Sequence, residues 1–203
     1  MSVKAVFERL RAGSAAFART NPAERVAKLR GLQQAVMDHL DEIDAAGEAE
    51  INMSGLGQLL PLKEEIAWAC ANLEHWMQRE EAAPAAGLAG RRGYVHYEPK
   101  GVVLHLATWN APVLISLSPA VSMIAAGNTI MIKPSELAPR SAEAVKKIIE
   151  QAFTPDEAAV VLGGPDVAQE ALALPFNHVC YVGGTRVGKI VMKAAAEHFA
   201  GVT

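Results

Sequence analysis

Four short stretches hold side chains able to meet a ligand. The first is Gly183-Gly184-Thr185-Arg186-Val187-Gly188-Lys189-Ile190, lying between an apolar strand pattern and a helical one. Backbone N–H groups in such a turn, backed by the positive end of a helix, form a phosphate-site candidate. Gly183, Gly188 and Lys189 fit the GxxxxGK spacing of a P-loop, but the next residue is Ile190. An aliphatic side chain cannot hold magnesium, so a nucleotide hydrolase is disfavoured. The G-x-G-x-x-G dinucleotide fingerprint also fails, because Thr185 replaces its second glycine. A tight strand-to-helix turn without a ligand accounts for the same pattern.

Lys133-Pro134-Ser135-Glu136 directly follows a strand pattern. Pro134 biases Lys133 to an extended backbone. An ammonium and a carboxylate in a stiff turn can bind the two hydroxyls of a ribose; a surface salt bridge gives the same spacing. Thr108-Trp109-Asn110 ends another strand before a helix. The Asn110 amide can donate to a developing oxyanion, and a helix cap is the plainer role for it. Gly163-Gly164-Pro165 closes a further strand.

Cys70 and Cys180 sit in helical and strand patterns and read as small buried hydrophobes. No nucleophile stands beside a base. Histidines 39, 75, 96, 105, 178 and 198 show no metal-ligand spacing, so no metal is expected.

The elements that must position these turns alternate. From Val102 the pattern runs strand, helix Pro112 to Ala126, strand Thr129 to Ile132, and a helix capped by Ser141 and running to Phe153. A strand over 158–162, a helix over 166–174, a strand over 178–182 and a helix after Gly188 follow, ended by Gly201. This alternation predicts an α/β fold with a mostly parallel sheet, with ligands at the carboxyl ends of its strands. Val202-Thr203 reads as the opening of a strand that is absent, so a piece of something longer, or a partner, is expected.

Residues 1–90 read as an N-terminal helical segment and linker. Val3, Val6, Phe7, Leu10 and Phe17 recur at helical spacing. Asn21-Pro22-Ala23-Glu24 restarts a helix, with Asn21 as cap and Glu24 three residues on. Its apolar face continues through Leu40 and Ile43, and a third helix is expected from Leu62 to Arg79. Glu80 to Gly90 reads as the linker, and Gly93 to Glu98 as a strand. The whole segment reads as scaffold.

The 203 residues are half apolar with a net charge of -3, signs mixed, which points to neither a nucleic-acid nor a membrane-surface partner. Two cysteines and an N-terminus without an apolar run fit a cytoplasmic protein.

The set WN-x-P, AAGNT, KPSE and G-x-T-x-x-GK-x-[VI]-M, in this order, resembles the aldehyde dehydrogenase superfamily. The resemblance covers the chain and is most specific from Glu98 to Phe199. It implies a Rossmann-like cofactor domain over 102–203, incomplete at its C-terminus, and a hairpin strand of oligomerisation type over 91–101. It implies oxidation of an aldehyde to a carboxylic acid with NAD or NADP, in a homo-oligomer when complete. Asn110 resembles the oxyanion-stabilising, catalytic Asn; Lys133 and Glu136 resemble the adenine-ribose contacts; Trp109 lies at the nicotinamide end. The loop from Gly183 to Gly188 resembles the turn beside the pyrophosphate. The implied cofactor-binding set is Thr108, Trp109, Lys133, Pro134, Ser135, Glu136, Gly163, Gly183, Gly184, Thr185, Val187 and Gly188. Leu174 to His178 points to the branch acting on coniferyl-type aromatic or medium-chain aldehydes.

Departures accompany it. Ala111 stands where the family has an aromatic residue, Thr108 where it has Pro or Gly, and Gly184 where it has a polar residue. The family's general-base Glu and nucleophilic Cys belong to motifs expected beyond Thr203. The chain alone is therefore expected to be inactive. A non-catalytic nucleotide-binding or oligomer-interaction module derived from the family is the alternative.

Overall fold

The computed structural model describes residues 1–83 and 90–203. Its helical N-terminal segment is α1 (Val3–Ala18), α2 (Pro22–Asp38), α3 (Leu40–Ile51) and α4 (Gly55–Trp76). A small hairpin follows, β1 (Glu80–Ala82) and β2 (Gly93–Val95). Then come β3 (Val102–Leu106), α5 (Pro112–Ala125), β4 (Thr129–Lys133), α6 (Pro139–Ala152) and β5 (Ala158–Val160). The chain finishes with α7 (Pro165–Leu172), β6 (His178–Tyr181), α8 (Thr185–Ala196) and β7 (Gly201–Val202).

The expected α/β architecture with a parallel sheet and flanking helices is present. The main sheet has the order β5-β4-β3-β6-β7, with every pairing parallel. β3 and β4 are buried on both faces, as a helix-covered parallel sheet requires. Val102, Leu104 and Leu106 pack with Met131 against α1, α7 and α8. Val103, Ile130 and Ile132 face the other way, into a core built from α2, α4, α5 and α6.

Several boundaries differ from expectation. α2 starts on the expected capping box: Asn21 Oδ1 accepts from the Glu24 N–H at 2.9 Å, and Glu24 returns the bond to the Asn21 N–H. Its apolar face then continues into a separate helix, because the backbone breaks at His39. The third expected helix starts at Gly55 rather than Leu62. Pro61 lies in the second turn of this helix, and Ser54 and the Asp44 carboxylate hold its start. Part of the expected linker, Glu80–Ala82, is a strand paired with Gly93–Val95, and the strand expected to reach Glu98 stops at Val95. The rest of the expected linker, 84–89, lies outside the described residues. Gly201 does not end a helix: it opens β7, which pairs with β6 through Gly201 and Val202. The strand expected to be missing therefore has its first residues in place.

Candidate functional site

The chain leaves β3 for β4 and β5 on one side, then returns to β6 on the other. A crevice forms where such a sheet reverses direction, outside the carboxyl ends of the two central strands. Thr108 to Asn110 leaves β3, Lys133 to Glu136 leaves β4, Gly163 leaves β5, and Gly183-Gly184 leaves β6. The fold thus brings all four sequence-predicted stretches to one edge of the sheet.

The helices that start at this edge fall into two kinds. α5 begins Ala111-Pro112 and α6 begins Ala138-Pro139, and neither has a capping side chain of its own. Each is capped from the N-terminal segment instead. Gln58 Oε1, on α4, accepts from the Val113 N–H at 3.1 Å and the Leu114 N–H at 3.4 Å. The Glu50 carboxylate, on α3, accepts from the Arg140 and Ser141 N–H groups at 2.5 and 3.0 Å, and from the Ser141 hydroxyl at 2.6 Å. Ser141 is therefore not the expected cap of α6. It lies inside the first turn and donates to the residue that does the capping.

The far end of α5 is held too. The buried Arg25 guanidinium donates to the Ala125 carbonyl at 2.9 Å, to the Ala18 carbonyl at 3.0 Å and to the Thr20 hydroxyl at 3.0 Å. Gly127 is demanded first by its φ of +84°, and a Cβ there would also lie 2.5 Å from Arg25. In mid-helix, Pro119 has no N–H for the Ile115 carbonyl. Buried His105 donates to that carbonyl from Nε2 at 2.7 Å. Burial lowers the His105 pKa despite its two carbonyl neighbours, Ile115 and Cys180, so the ring is neutral.

α7 and α8 begin without a side-chain cap. In α7, Asp166 occupies the first turn, which opposes an anion. In α8 the first turn holds no acidic residue and carries Arg186, with Lys189 just beyond. The predicted loop residues Thr185, Val187 and Gly188 are in fact the first turn of this helix; only Gly183 and Gly184 precede it. Tyr181 shapes the turn. Its hydroxyl donates to the Gly184 carbonyl at 3.1 Å, and a Cβ on Gly183 would lie 2.1 Å from that hydroxyl. A Cβ on Gly184 would meet nothing within 4 Å, so that position is free of packing demands. Gly163 has φ +148°, and a Cβ there would strike Val167 at 2.3 Å. Its need for glycine thus comes from both its backbone conformation and the approach of α7. Ile190, the residue that breaks the P-loop pattern, is half exposed on α8.

Lys133 and Glu136 form a pair at 2.6 Å, with the lysine buried and the carboxylate partly open to solvent. Burial acts to raise the Glu136 pKa. The Lys133 hydrogen bond, Glu136's own backbone N–H and the Lys133 charge outweigh it, and the net shift is downward. The Asp166 charge pushes slightly the other way. Ser135 accepts from the Leu137 N–H and closes the turn behind buried Pro134. Asn110 is exposed and is not the N-cap of α5; that residue is Ala111. The Thr108 hydroxyl donates to Asn110 Oδ1 at 2.6 Å, which leaves the amide NH2 as the outward donor end. Trp109 is half exposed beside it.

Sequence reading missed Gln58, Glu50, Arg25 and Tyr181. Two Ala-Pro helix starts with no Ser, Thr, Asp or Asn at the cap position were the available signal, since such starts need acceptors from elsewhere. Cys180 is buried as expected, whereas Cys70 is only half-buried; burial raises both thiols, with Arg30 opposing slightly at Cys70. Among the described residues no cluster could hold a metal ion, and no helix is long and apolar enough to cross a membrane.

The model of the aldehyde dehydrogenase family matches residues 1–203. A probable coniferyl aldehyde dehydrogenase of Pseudomonas aeruginosa is 34% identical over 99% of this chain and 43% of its own length. A dimeric NADP-preferring aldehyde dehydrogenase of Canis lupus familiaris is 34% identical over 91% of this chain and 42% of its own. The substrate-bound state of Staphylococcus aureus AldH superposes with a TM-score of 0.94 at 29% identity, covering 100% of this chain and 45% of that one. The chain spans less than half the length of these relatives. With a family match along its whole length, and the reversed parallel sheet carrying the four turns, this chain belongs to the aldehyde dehydrogenase family.

Proposed function

We propose that this chain is the cofactor-binding part of an NAD(P)-dependent aldehyde dehydrogenase, acting in the oxidation of an aldehyde to a carboxylic acid. The observation that carries the reading is the open α8 start, at the point where the sheet reverses, beside the paired Lys133 and Glu136. Free N–H groups and the positive charges of Arg186 and Lys189 fit a pyrophosphate. An ammonium donor and a carboxylate acceptor 2.6 Å apart fit vicinal ribose hydroxyls. The nicotinamide, when bound, supplies the hydride acceptor. Asn110, its amide oriented by Thr108, donates to the oxyanion of the substrate. Trp109 stands at the nicotinamide end.

Ionised Glu136 repels a 2′-phosphate, which favours NAD. The name of the canine relative points to NADP, so the two cofactors are the first contrast to measure. The name of the Pseudomonas relative supports a coniferyl-type aromatic aldehyde as substrate. Burial raises both thiols, so neither Cys70 nor Cys180 is assigned as the nucleophile, and the chain is proposed to be inactive alone. In the complete protein the β1–β2 hairpin, with Tyr94 half exposed, serves a homo-oligomer contact. The compartment proposed is the cytoplasm.

Calorimetric titration of the folded chain with NAD+ and NADP+ tests this reading. Binding that is weakened by Lys133→Ala is expected. A folded chain that binds neither nucleotide would contradict it. Aldehyde-dependent NADH formation by the chain would contradict the assigned inactivity.

A further inference from the structure

Gln58 is wholly buried, and its Nε2 has no hydrogen-bond partner. An unmet buried donor is unfavourable, and a Met of similar size would avoid it. Its Oε1, by contrast, is fully used on the first turn of α5. Pro112 has no N–H, and the Ile115 N–H is bonded to the Ala111 carbonyl at 2.8 Å. The Val113, Leu114 and Ile115 N–H groups are therefore all spoken for. In a sheet of this order, the helix after the first strand is the usual seat of a dinucleotide's phosphates. Here a protein side chain occupies that seat.

We propose that Gln58 is a positioning residue of the nucleotide site. It closes the α5 start to phosphate, leaves the α8 start as the phosphate seat, and holds Ala111 and the Asn110 turn that precedes it. Glu50 closes α6 in the same way. The assignment rests on the nucleotide-binding reading above, but closure of α5 has a readout of its own.

The test compares the wild-type chain with Gln58→Met and Gln58→Glu, using backbone amide NMR with inorganic pyrophosphate and NAD+ as probes. In the wild type, pyrophosphate is expected to shift the Thr185 and Arg186 amides and leave Val113 and Leu114 still. In Gln58→Met, exchange at Val113 and Leu114 rises, pyrophosphate now shifts those amides, and the NAD+ dissociation constant rises about tenfold. Gln58→Glu keeps the acceptor and restores the wild-type pattern. A Gln58→Met chain that merely melts earlier, with unchanged NAD+ affinity and no response at Val113 or Leu114, overturns the proposal. If the wild type responds to neither probe, the nucleotide reading fails. A pyrophosphate response gained at α5 in Gln58→Met would then still support closure, and its absence would overturn it.

Discussion

The helices on one face of the sheet begin under side chains sent from elsewhere, whereas those on the other begin in the open. α5 and α6 receive Gln58 and Glu50 from the N-terminal helices, and Arg25 holds the end of α5. α7 and α8 receive nothing comparable. The first pair is thereby fixed in place, and it carries the Asn110 and Lys133–Glu136 turns at its starts. The second pair starts without a side-chain cap, and of the two only α8 lacks an acidic first turn. The N-terminal segment is therefore more than packing. Through a few polar side chains it caps the starts of α5 and α6.

The contrast can be broken at several places. The largest effect is expected from Arg25→Met, which leaves the Ala18 and Ala125 carbonyls without their buried donor. Such a change costs about 3 kcal/mol, read as a drop in urea-unfolding free energy. Glu50→Ala removes the α6 cap and is expected to cost about 1–2 kcal/mol, while Thr185→Ala at the open α8 start costs under about 0.5 kcal/mol. Equal costs at the two sites would erase the distinction.

Within the open half, Gly183→Ala is expected to cost about 1 kcal/mol through the clash with Tyr181. Tyr181→Ala should remove the steric part of that penalty and leave the part due to the Gly183 φ of +159°, giving a non-additive double mutant. If the full penalty persists, the backbone conformation alone demands the glycine.

The smallest effects are those of pH. His105 is held neutral below the pH at which an unfolded imidazole would charge. Its contribution is present above the ordinary histidine range and is lost as pH falls through it. Glu136, with its pKa depressed, contributes above the ordinary carboxylate range and loses that contribution at lower pH. His105→Leu should flatten the first part of the stability–pH curve and Glu136→Gln the second, with Glu136 the lesser because it is partly exposed.

Much of this was legible in the sequence. Alternating strand and helix patterns predict the parallel sheet, and the turns ending those strands do gather at one end of it. The Asn21–Glu24 capping box could be read because both partners are local. Gln58, Glu50 and Arg25 were not legible as functional, because their partners lie 55, 90 and 100 residues away in the chain. Glycines at 183, 184 and 188 read as loop and predict too late a start for α8, although Gly188 tolerates helix geometry with Tyr181 beneath it.

The most direct measurement is amide chemical-shift mapping of the wild-type chain during titration with NAD+. The account predicts shifts centred on Gly184, Thr185 and Arg186, with Val113, Leu114, Arg140 and Ser141 unmoved. Shifts centred on the capped starts of α5 or α6 would contradict it.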